Sequence, residues 1–110
     1  MQKLSLDALG RELLGRAAGN AACRTAQTVV GGHERVLRQT VLAMLAGSAL
    51  AEHASPGEGS IYVLRGRVKL TADGESWVAR DGDLLILPQS QHGLEAVDDS
   101  AVLLTVAKRP

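Results

Sequence analysis

The chain has 110 residues, 45% of them apolar, with Phe absent and aromatic residues at only 2%. One domain of this size buries an adequate core without a metal or a disulfide, and that core has to be aliphatic. Lys plus Arg and Asp plus Glu stand at 12 each, so no net field favours nucleic acid or an anionic membrane. Residues 5–18 read as the one helix, with Ser5 as N-cap and Asp7 in the first turn. Leu6, Leu9, Leu13, Leu14 and Ala17 recur at three- and four-residue spacing, and Arg11, Glu12 and Arg16 lie off that stripe. Gly10 and Gly15 each cost about 1 kcal/mol against Ala in a helix interior, and Gly19-Asn20 ends the run. The helix must therefore dock its Leu face on something else.

Beyond Asn20 the helical period disappears. Strand composition follows at 25–30, 35–45 and 49–53, then on either side of Gly66 at 60–65 and 67–71. Asp73-Gly74 leads into 76–79, Asp81-Gly82 into 84–87, and 92–96 and 101–106 close the chain around Asp98-Asp99. Short strands joined by Gly-based turns predict an all-β barrel or sandwich. Leu84 to Leu87 and Ala101 to Val106 are apolar on both faces, which predicts a barrel interior on one side and the helix or a second subunit on the other. The division is 1–24 for helix and connection and 25–110 for the barrel, within one domain.

The lone Cys23 has no intramolecular partner, which suits a reducing compartment. Asp7 and Glu12 interrupt what a signal peptide would keep apolar. No run approaches the roughly 18–20 apolar residues of a membrane span. The expectation is a cytoplasmic protein with neither nucleic-acid nor membrane partners.

The polar groups with chemical capacity cluster between His53 and His92, before and after the central strands. Gly47 is followed after five residues by His53, with Ser55 and Glu58 beyond it and Gly66 closing the stretch. Gly82 is followed after five residues by Pro88, with Ser90 and His92 beyond. This pattern resembles the two motifs of the cupin superfamily: Gly, five residues, His-x-His, three or four residues, Glu, six residues, Gly; and Gly, five residues, Pro-x-Gly, two residues, His. Ser55 replaces the second His of the first motif, Gly59 falls at the Glu position with Glu58 one step early, and His92 comes one residue early.

The resemblance spans about residues 40–106 and implies a double-stranded β-helix, that is, a jelly-roll barrel, with an N-terminal helix, commonly a homodimer. It also implies a metal set of His53, Glu58 and His92 for one divalent ion (Fe, Mn, Ni or Zn), unless the degraded motif has lost it. Ligand contacts are expected from Gln39, Ser55, Tyr62 and Gln91, around a small polar metabolite. Arg38 and Thr40 share one strand face and Gln39 lies on the other, so Gln39 or Arg38 is a candidate for a ligand carboxylate, against a structural or interface pairing. The functional expectation is a small-molecule-binding barrel. Its alternatives are a metal-dependent dioxygenase or isomerase, and a metal-free structural or interaction barrel whose interior is filled by side chains such as Met44, Ile61 and Leu85.

Overall fold

A computed structural model describes residues 1–53 and 57–108. It has one helix, α1 (Leu6–Ala17), followed by nine strands. These are β1 (Arg24–Val30), β2 (Leu37–Met44), β3 (Ala49–His53), β4 (Gly57–Arg65), β5 (Arg67–Ala72), β6 (Glu75–Arg80), β7 (Leu84–Ile86), β8 (His92–Ala96) and β9 (Ser100–Lys108). Each falls on a strand expected from the sequence, although β4 begins earlier, at Gly57. The strands form two antiparallel sheets, β1-β2-β9-β4-β7 and β3-β8-β5-β6, which face one another as a jelly-roll barrel.

Strand parity sorts the side chains into two clusters. Inward positions bring Leu42 and Met44 of β2 together with Ile61 and Val63 of β4, Val102 of β9, and Val68 and Leu94 from the other sheet. Met44, Ile61 and Leu85, expected to fill the interior in a purely structural barrel, do belong to this packed core. The outward positions Val41 and Ala43 meet Leu13 of α1 instead, with Leu64 and Leu103 beside them. Of the doubly apolar strands, β9 thus serves the barrel on one face and α1 on the other, whereas Leu84 and Ile86 of β7 leave their outer face exposed. Ser5 caps the helix, its Oγ accepting the Ala8 N–H at 3.2 Å. Gly10 also has a purpose: a Cβ there would stand 3.1 Å from the Ala101 Cβ, so its absence lets α1 lie close on β9.

The turn from β4 to β5 is held by side chains rather than by length. Gly66 has φ +94°, and its N–H donates to Asp81 Oδ1 at 2.8 Å. Ser100, almost fully buried, accepts the Arg67 N–H on its Oγ at 2.9 Å and can donate to the Asp98 carbonyl at 2.7 Å. One buried hydroxyl therefore ties β5 to the entry of β9. No helix among the described residues is long and apolar enough to cross a membrane.

Candidate functional site

The interior is packed at one end and open at the other. In the β1–β2–β9–β4 sheet, Thr28 pairs with Thr40, Thr40 with Leu104 and Leu104 with Ile61, forming one inward row. The next row toward the mouth is Arg38, Val106 and Gly59. Across the barrel, His53 of β3 pairs directly with His92 of β8. Between these rows lies a cavity of about 480 Å³, open to solvent, with Thr28, Arg38, Thr40, His53 and His92 on its polar side. Leu87, Leu104 and Val106 supply apolar wall. The volume falls within the range of about 300–1,000 Å³ common to small-molecule sites. A smaller groove of about 140 Å³ lies between the free edges of β6 and β7, walled by Leu70, Trp77, Ile86 and Pro88.

The two imidazoles are in contact, with ring centroids 5.1 Å apart and planes at 53°. His92 is only 5% exposed, whereas His53 is open to solvent. His53 Nδ1 lies 3.0 Å from the Ala51 carbonyl and His92 Nδ1 lies 3.1 Å from the Ser90 carbonyl. A carbonyl only accepts, so each Nδ1 carries the proton and donates. With Nδ1 so engaged, Nε2 is the nitrogen left on each ring for a ligand or a metal.

Of the residues expected at this site, His53 and His92 come together and the others do not. Glu58 sits on the outward parity of β4, exposed and paired with Ala107, because the inward set on that strand is Gly59, Ile61 and Val63. Gln39 lies on the outer face of β2, where its Nε2 donates to Thr105 Oγ1 at 3.1 Å. Tyr62 is also outward, 40% exposed and opposite Leu103 and Leu84. Gln91 is exposed just before β8 and forms no part of the cavity wall. Ser55 lies outside the described residues. A one-residue step in a strand reverses the side chain, and that reversal separates Glu58 and Gln39 from the interior. No local signal marks Thr28 and Val106 as wall residues, since only the β1–β2–β9 register carries them to one mouth with Thr40 and Arg38.

A cupin-domain family model matches residues 40–107, which include both cavity histidines, β3 to β8 in full and most of β2 and β9. The chain belongs to the cupin superfamily. Among solved structures, this cupin is similar to a conserved protein of unknown function from Streptococcus pyogenes, at 27% identity and TM-score 0.74, covering 83% of this chain and 79% of that one. It is also similar to an RmlC-like cupin from Desulfovibrio desulfuricans, at 30% identity and TM-score 0.68, covering 76% and 81%. A cupin superfamily protein from Desulfitobacterium hafniense, at 15% identity and TM-score 0.72, shares the fold over 78% of each chain. No curated protein matches this sequence.

The family implies a metal at the mouth of the barrel, and here the donor set is short. Among the described residues no group of three or more His, Cys, Asp or Glu side chains comes together. The family's carboxylate position is Gly59, which faces inward but carries no donor. A Cβ there would stand 2.9 Å from the Thr105 carbonyl oxygen and 3.0 Å from Leu87 Cδ1. Two imidazoles without a carboxylate do not make the two-His-one-carboxylate triad or a three-ligand zinc site.

Proposed function

We propose that this cupin is a binding module for a small polar molecule, held in the mouth cavity against His53 and His92. The observation that carries the reading is the buried His92, its Nδ1 committed to a backbone carbonyl and its Nε2 without a partner among the described residues, in the wall of an open cavity. That nitrogen faces the open cavity with its lone pair uncommitted, so it can accept a hydrogen bond from a ligand's hydroxyl or amine. Saturation-transfer NMR against a mixture of small polar metabolites should show bound species with the wild type and lose them in His92→Ala. Undiminished signals in the variant would place binding elsewhere.

A metal-dependent reading, with oxygenase or isomerase chemistry, is favoured by one feature: the tautomer that frees Nε2 on both rings is the one metal-bound histidines use. Elemental analysis of untagged protein after incubation with Fe(II), Mn(II), Ni(II) or Zn(II) separates the readings. Near-stoichiometric metal that vanishes in His92→Ala supports the second, and ligand binding without metal supports the first.

The same proposal includes a homodimer. Outside the cover of α1, the outer face of the larger sheet leaves Tyr62 40%, Leu84 57% and Ile86 66% exposed on adjacent β4 and β7 positions. Pairing through that patch would remove it from water. Light scattering should give twice the chain mass of 11.5 kDa, reduced to a single chain by Ile86→Lys.

A further inference from the structure

Resting on the reading of the mouth as a ligand site, we infer that the ligand is a small carboxylate, its anionic end bound by Arg38 and a hydrogen-bond donor on its other end turned to the imidazoles. Most cations among the described residues are already engaged. Arg11 and Arg65 pair with Asp7, Arg16 with Glu12, Arg67 with Asp98, and Lys69 with Glu95. Lys108 donates to the Gly32 carbonyl and Arg24 to the Ala49 carbonyl. Arg38, on the inward parity of β2 at the solvent-exposed rim of the cavity wall, has no ion pair or hydrogen bond among the described residues. The described wall contains no carboxylate that would answer it. The Glu34 carboxylate lies against Gly32 and reaches Arg35 at 3.9 Å.

The wall is therefore asymmetric in its chemistry. One side offers a guanidinium, which presents donors in a planar fork matched to a carboxylate. The other offers two Nε2 lone pairs, which accept hydrogen bonds and so call for a hydroxyl or amine. Thr28 and Thr40, whose hydroxyls lie 3.2 Å apart, stand on the row between Arg38 and the aliphatic core and extend the polar surface. Arg38 is solvent-exposed, so a neutral ligand seated against it would displace water from the guanidinium without giving it a counter-charge. A small carboxylate carrying a hydroxyl satisfies both sides.

Isothermal titration with two matched pairs tests this: gluconate against sorbitol, and malate against malamide. Each is titrated into wild type, Arg38→Gln, Arg38→Lys, His92→Ala and Arg80→Gln, the last a surface cation outside the cavity. At least one carboxylate should bind the wild type at least tenfold more tightly than its neutral partner. Arg38→Gln should weaken it at least tenfold, Arg38→Lys less, and Arg80→Gln not at all. Equal loss in Arg80→Gln, or inorganic phosphate binding as well as the carboxylates, would overturn the inference in favour of general anion attraction. Sorbitol or malamide binding that survives Arg38→Gln but fails in His92→Ala would overturn it while leaving the mouth site standing. Absence of binding by either member of both pairs would overturn it, and saturation-transfer signals that depend on His92 would then tell whether the mouth site survives it.

Discussion

Replacing Gly66 by Ala should destabilise the protein by about 3–5 kcal/mol, combining backbone strain with overpacking against an immovable neighbour. At φ +94° an L side chain is strained whatever space surrounds it. Here there is also no space: a Cβ would fall on the Ser100 hydroxyl and the Asp99 carbonyl, and within 2.7 Å of the Ser100 Cα. Those atoms are backbone or belong to a buried side chain that bridges β5 and β9, so they cannot step aside without opening both strands. Urea unfolding followed by circular dichroism measures the loss. A change below about 1 kcal/mol would mean that this turn relaxes at little cost.

Leu13→Ala should cost about 2–5 kcal/mol, the range for emptying a buried leucine site. Leu13 is 1% exposed and is the residue of α1 around which the outer cluster with Val41 and Ala43 is built. Its carbonyl also accepts the Thr25 hydroxyl at 2.8 Å, so α1 and β1 are fastened at the same point. Neighbours of the vacated site have little freedom to collapse, because Gly10 already holds the helix close on Ala101. Denaturant unfolding should show a lower midpoint with an unchanged slope. Amide hydrogen exchange should rise first in α1, and uniform exchange across the barrel would contradict an independent helix-docking cluster.

Much of the fold was legible because its signals are local. Ser5, the Leu6–Leu9–Leu13 spacing and Gly19-Asn20 mark α1 by capping and period, and Asp73-Gly74 and Asp81-Gly82 mark turns by their permitted backbone angles. The positions of Gly47, Gly66, Gly82 and Pro88 relative to the two histidines were enough to place the chain among cupins. The purpose of Gly10 was not legible. By sequence it only weakens a helix, and only its 3.1 Å approach to Ala101 explains it.

The site divides in the same way. The sequence by itself determined the residue types at the mouth and the pairing of two histidine-bearing segments, since spacing around turn glycines is a one-dimensional property. Only the tertiary structure decided which side chains face the cavity. Glu58 and Gln39 each lie one residue from an inward position, and in a strand one residue is a full reversal of direction. The inward neighbours, Gly59 and Arg38, thus replace an expected carboxylate with bare backbone and an expected amide with a cation. Register among β1, β2 and β9, which no local signal encodes, then carries Thr28 and Val106 to Arg38 and sets the chemistry of the mouth.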